Sequence, residues 1–142
     1  MRLNDVGYMV RQVWGQLSER FPNIELDEFV IMPNHVHGII VIMDAGSAHQ
    51  NVGAQFIAPN NMGAINRAPT LGNIIRTFKA LTTYRVRRLG MPRFCWQRNH
   101  YEHVIRNESD LGEIREYIQN NPTQWALDRE NPNQLRMIVE LA

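Results

Sequence analysis

Two histidines flank one valine at His35-Val36-His37, at the mouth of an apolar run that continues to Met43. Side chains alternate between the faces of an extended strand, so His35 and His37 project to one side and Val36 to the other. Imidazoles held about 7 Å apart along a strand can share one divalent cation if the sheet supports them. A second group lies far downstream. Glu113, Tyr117 and Asn121 fall at i, i+4 and i+8, which makes one polar column on a helix. The amide oxygen of Asn121 is a hard ligand that can join two imidazoles on a cation. Tyr117, one turn away, would reach whatever that cation binds. The combination suits a phosphodiester: the cation polarises the phosphate as a Lewis acid and the tyrosyl oxygen attacks phosphorus. A phosphotyrosine ester keeps the bond energy, so a second strand end can reverse the step without a nucleotide cofactor. By ligand chemistry alone the two imidazoles would suit Zn²⁺ equally well.

Charge points to the same class of partner. From Ala45 to Tyr101 there is no Asp or Glu, but there are eight basic residues: Arg67, Arg76, Lys79, Arg85, Arg87, Arg88, Arg93 and Arg98. The whole chain carries a net +1. A positive field concentrated in one segment favours a polyanion such as nucleic acid over a merely solvated basic surface. Arginine forks grip phosphate bidentately and stack on bases. Arg76, Lys79, Arg85, Arg87, Arg88 and Arg98 are the candidate DNA contacts. Trp96 and Tyr101 are candidates for packing or base stacking. Tyr101 is also the rival nucleophile, but it sits on a strand and has no amide four residues on. His103 is a candidate for supporting the metal ligands from a neighbouring strand.

The elements that must position these groups follow from periodicity. Val6, Val10, Val13, Trp14 and Leu17 predict an amphipathic helix over 3–20, capped by Asn4 or Asp5. Ile24 to Met32 is expected as a strand, with Ile24, Leu26, Glu28, Val30 and Met32 on one face and Phe29 and Ile31 on the other. Pro33-Asn34 is a turn signal, and His35 to Met43 a second strand, so the two should form an antiparallel hairpin. The run Ile39-Ile40-Val41-Ile42 argues for a central strand covered on both faces. Gly38 is expected to leave space beside the histidines. Residues 44–69 read as a long surface loop. Thr70 caps a helix to about Leu89, stopped by Gly90-Met91-Pro92. Phe94 to Arg106 has strand character, and Cys95 within it is expected to be a small buried hydrophobe. Asp110 is expected to cap a last helix that buries Leu111, Ile114 and Ile118 and stops at Asn121 before Pro122. Trp125 and a short apolar segment from Leu135 to Leu141 form the tail. The pattern predicts one α+β domain over residues 1–142, an antiparallel sheet flanked by helices. No apolar run approaches the ~18 residues of a membrane span, so no membrane partner is expected. No apolar stretch follows Arg2 as in a signal peptide, and a lone cysteine cannot close an internal disulfide, so a reducing cytoplasm is expected.

The motifs also carry a family resemblance. Met32-Pro33-Asn34-His35-Val36-His37-Gly38 resembles the histidine–hydrophobic–histidine (HUH) motif. The stretches Trp96 to Asn107 and Glu116 to Pro122 resemble the two downstream blocks of the REP-associated tyrosine transposases, members of the single-tyrosine HUH transposase superfamily. The resemblance implies a sheet of ferredoxin or RNA-recognition-motif type. It implies Mg²⁺ or Mn²⁺ on His35 and His37 with Asn121 completing the shell. It implies Tyr117 as the nucleophile that becomes joined to the 5′ end of single-stranded, hairpin-bearing (REP-like) DNA. A prokaryotic, nucleoid-associated location and a monomer or homodimer go with it. Family members carry another strand before the first helix, whereas Met1 here lies a few residues before that helix. The resemblance therefore implies a sheet that lacks the family's first strand, as in a truncated gene copy, or one completed differently; an exposed edge would favour dimerisation. The alternative is a catalytically decayed or domesticated protein that grips single-stranded or hairpin DNA without cutting it.

Overall fold

The computed structural model describes residues 3–43, 70–125 and 136–141. The expected 44–69 loop, with His49 and Arg67, lies outside them. Asn4 opens the first helix, its side-chain oxygen accepting from the Gly7 amide at 2.9 Å, and α1 runs Asp5–Gly15. The helix breaks after Gly15, a residue that holds helical backbone weakly, and a short α2 covers Leu17–Arg20. β1 (Ile24–Ile31) and β2 (His35–Ile42) form the expected antiparallel hairpin. α3 spans Leu71–Arg88, with Thr70 capping its start through the Asn73 amide. Gly90, at φ +94°, ends it in the left-handed conformation a glycine adopts without strain. β3 is Tyr101–Val104, α4 Glu108–Gln124 and β4 Arg136–Leu141.

The architecture is α+β, with helices flanking one four-stranded sheet of order β1-β2-β4-β3. The β1–β2 pairing is antiparallel, while β4 runs parallel to both β2 and β3. The sheet is thus completed by the C-terminal segment, which the sequence presents as an apolar tail without topological information. β4 is the second neighbour of the histidine strand, with His35 opposite Arg136 and His37 opposite Ile138.

Alternation along β2 divides the molecule into two layers. Val36 and Ile40 join Val10, Val13, Trp14, Leu17, Ile74 and Phe78 in the core beneath α1 and α3. On the other face Ile39 meets Ile105 and Ile118, with Val30, Leu111 and Ile114 packed around them. This second core seats α4.

Several expectations change once the chain is folded. The register of β1 on β2 shifts between Leu26 and Phe29. This bulge reverses the alternation, so Ile24, Leu26, Phe29 and Ile31 all pack on the α1/α3 core while Val30 turns to α4. Gly38 does leave space, but on the opposite face from the histidines. A Cβ there would stand 2.5 Å from the edge of the Trp14 ring, which lies flat on Phe29 at 4.3 Å. α4 starts one turn earlier than Asp110: Asn107 accepts from the Asp110 amide at 2.8 Å and donates to its carboxylate at 2.9 Å. Pro122 does not stop the helix. It forgoes one intrahelical bond, and the Trp125 amide closes the next turn on the Asn121 carbonyl.

The segment 94–100 has no regular structure, so only four residues of the expected third strand pair. Cys95 is exposed there, because Phe94 and Trp96 on either side turn inward to each other at 5.7 Å. No helix among the described residues is long and apolar enough to cross a membrane.

Candidate metal and nucleophile site on the α4 face

His35 and His37 leave β2 on the same side, and their rings converge to centroids 4.8 Å apart, nearly perpendicular at 83°. Their Nε2 atoms stand 3.0 Å apart. His35 is half-buried, and His37 is 1% exposed. The Nδ1 of His35 lies 2.6 Å from the side-chain oxygen of Asn34. An amide oxygen only accepts, so Nδ1 carries the hydrogen and the Nε2 of a neutral His35 is bare. The contact between the two Nε2 atoms is then a hydrogen bond donated by His37. That leaves the Nδ1 of His37 as a bare, buried nitrogen without a partner among the described residues. Burial, aided by the adjoining His35, pushes the pKa of His37 down from 6.5 to about 4. The His37 ring is therefore held neutral near pH 7, the form that binds metal.

α4 crosses over this pair. The Tyr117 ring stands edge-on to His37 at 5.5 Å, and the Trp125 ring lies 6.0 Å from His35. Asn121 falls midway between them on the same helical column, is 9% exposed, and has a side-chain nitrogen with no partner among the described residues. Tyr117 remains 48% exposed, so its hydroxyl is open to a large substrate. The first member of the sequence column, Glu113, is exposed one turn further out. Trp125 was not singled out by the sequence reading. Its signal was present, since it continues the i, i+4, i+8 column from Tyr117, but that column ends early if Pro122 is taken to break the helix.

The residues fit a small divalent cation. Two ligand atoms at about 2.1 Å from an ion and subtending a right angle lie about 3.0 Å apart. The two Nε2 atoms meet that spacing, and His37 would bind through Nε2 with its hydrogen moved to Nδ1. Among the described residues no group of three or more His, Cys, Asp or Glu forms a cation site. The third protein donor would accordingly be the buried amide of Asn121, through its oxygen.

The basic residues sit elsewhere. α3 packs on the face of β2 opposite the histidines, so the fold does not bring its cations to the pair. Lys79 donates to the carbonyls of Gln97 and Asn99 at 3.0 and 2.9 Å, and its burial lowers its pKa. Arg87 donates to the Phe94 carbonyl at 3.1 Å. These two pin the irregular 94–99 segment to α3. Arg88 reaches the Tyr84 hydroxyl at 2.8 Å and lies over that ring. Arg76 and Arg98 are exposed, and Arg85 is half-buried. A shallow groove of about 670 Å³ runs past Lys79, Tyr84, Arg87, Arg88 and Trp96. Trp96 packs on Phe78 at 5.5 Å. Tyr101 is 67% exposed on β3. His103, on the same strand, is exposed, and His100 pairs with Glu102 at 3.4 Å.

No family model and no solved structure matches the chain. A Haemophilus influenzae protein described as uncharacterized is 43% identical over 129 residues, which are 91% of this chain and 71% of that protein.

Proposed function

We propose a function for a chain that belongs to the same family as that Haemophilus influenzae protein: metal-dependent cleavage and rejoining of single-stranded, hairpin-bearing DNA through a 5′-phosphotyrosine, the activity of the tyrosine transposases. The observation that carries the reading is the column Tyr117–Asn121–Trp125 lying over two histidine nitrogens 3.0 Å apart. A divalent cation on His35, His37 and Asn121, Mg²⁺ or Mn²⁺ in this reading, would supply Lewis-acid polarisation of the scissile phosphate. The half-exposed phenol of Tyr117 gives its proton to solvent and its oxygen attacks phosphorus. The bond from phosphorus to the tyrosyl oxygen forms, the bond to the 3′ oxygen breaks, and that oxygen leaves as a hydroxyl by taking up a proton. Attack by another 3′ hydroxyl runs the same exchange backwards and joins strands. Asn34 orients His35 through its Nδ1–H, and the rings of Trp125 and Tyr117 keep water from one side of the pair. The acid-free stretch supplies the attraction for the phosphate backbone.

The test is incubation with a hairpin-bearing single-stranded oligonucleotide and Mn²⁺. Wild type should give a covalent protein–DNA adduct on a denaturing gel. Tyr117→Phe should give none, while Tyr101→Phe should behave as wild type. An adduct that persists in Tyr117→Phe overturns the assignment of the nucleophile. Salt-sensitive binding with no adduct would instead make this a decayed or domesticated DNA-gripping protein.

A further inference from the structure

The bulge in β1 sends two consecutive carboxylates to α4. Asp27 uses Oδ1 to accept from the Glu28 amide at 2.8 Å, which holds the bulge, and Oδ2 to accept from Arg115 Nε at 3.0 Å and from its Nη2. Glu28 accepts from the Gln119 amide at 2.7 Å. Arg115 and Gln119 are one turn apart on one flank of α4. Leu111, Ile114 and Ile118 occupy the middle of the sheet-facing side, and Tyr117 and Asn121 lie on the other flank. Of the apolar stripe, Ile118 alone is fully buried, at 1% exposure. So thin a seat fixes the height of the helix over the sheet better than its rotation about its own axis. At a side-chain radius of about 5–6 Å, a roll of about 10° moves the far flank by about 1 Å.

We propose that Asp27 and Glu28, through Arg115 and Gln119, are positioning residues that set the roll of α4 and hence the reach of Tyr117 over the histidine pair. The geometric consequence stands on the contacts alone, and the kinetic one rests on Tyr117 as the nucleophile. A displacement of about 1 Å at the reacting group is worth about 10²-fold in rate.

The test compares wild type with Arg115→Met, Arg115→Lys and Asp27→Asn, the last of which keeps the oxygen that accepts from the Glu28 amide. The first readout is the NMR shift of the His37 ring protons, which feel the Tyr117 ring edge-on at 5.5 Å. These resonances should move in Arg115→Met and Asp27→Asn and return part-way in Arg115→Lys. The second readout is the rate of adduct formation with the hairpin oligonucleotide and Mn²⁺. It should fall by about 10²-fold in Arg115→Met at unchanged oligonucleotide affinity. His37 resonances that stay put in both Arg115→Met and Asp27→Asn overturn the proposal. So does a rate loss that merely tracks a loss of DNA binding or of thermal stability. If wild type forms no adduct, the nucleophile assignment fails and the resonances alone decide whether the latch sets the helix.

Discussion

On the α1/α3 face of the sheet, Trp14 lies flat on Phe29, Phe78 meets its edge at 5.6 Å, and Val36 and Ile40 are wholly covered. On the α4 face, beside the small apolar cluster of Ile39, Ile105 and Ile118, the buried polar groups near the same strand are His37 and Asn121, each with a polar atom that finds no partner among the described residues. One strand serves both layers, with apolar and polar side chains alternating beneath different helices. The comparison teaches that the packing core and the proposed chemistry are separated by the thickness of a sheet. The first face follows the helix period and is closely packed, although the Thr82 hydroxyl on α3 and the Trp96 ring nitrogen are also buried without a partner among the described residues. The second carries buried polar groups that cost free energy unless something binds them.

Substitutions can break this division in order of expected size. Phe78→Ala opens a cavity in the first layer and should lower unfolding free energy by about 3–5 kcal/mol. Urea titration measures this, and Mn²⁺ affinity should stay unchanged in the same protein. The next effect belongs to the second layer. The pKa of His37 is lower folded than unfolded, so the unfolded chain binds the proton more readily between pH 6.5 and about 4. The stabilisation from keeping the ring neutral is complete above pH 6.5 and drains away as pH falls to about 4, on the order of 3 kcal/mol. Thermal melts in chelator should show that decline, and His37→Leu should flatten it while abolishing metal binding. An undiminished pH slope in His37→Leu would place the responsible group elsewhere.

Gly38→Ala tests which layer the glycine serves. Its Cβ would collide with Trp14, so it should destabilise by about 1–3 kcal/mol and leave Mn²⁺ affinity alone. Weakened metal binding with normal stability would return the glycine to the histidine face. The smallest effect on the fold should come from Asn34→Ala. Loss of the bond that orients His35 should weaken Mn²⁺ binding about 10–100-fold by calorimetry, with the melting temperature little changed.

Much of the candidate site was legible beforehand. The shared face of His35 and His37, the Tyr117–Asn121 column and the stripe Leu111, Ile114 and Ile118 all follow from strand and helix periods, which are local properties of the backbone. Trp125 was hidden because the rule that proline ends helices is a tendency, and here the Trp125 amide bonds the Asn121 carbonyl one turn on. Lys79 reads from charge as a phosphate contact. Folded, its ammonium is on two backbone carbonyls brought from 18 and 20 residues away.

The sequence by itself determined which residues alternate, which recur every turn and where chains of like charge accumulate, because each depends on neighbours within a few positions. Only the tertiary structure decided that a bulge at Asp27–Glu28 reverses one strand's faces, that the room at Gly38 belongs to Trp14, and that β4 lies beside the histidine strand. The physical reason is that register and neighbour are set by pairing across the chain. A slip of one residue there exchanges the two faces of a strand without altering a single local preference.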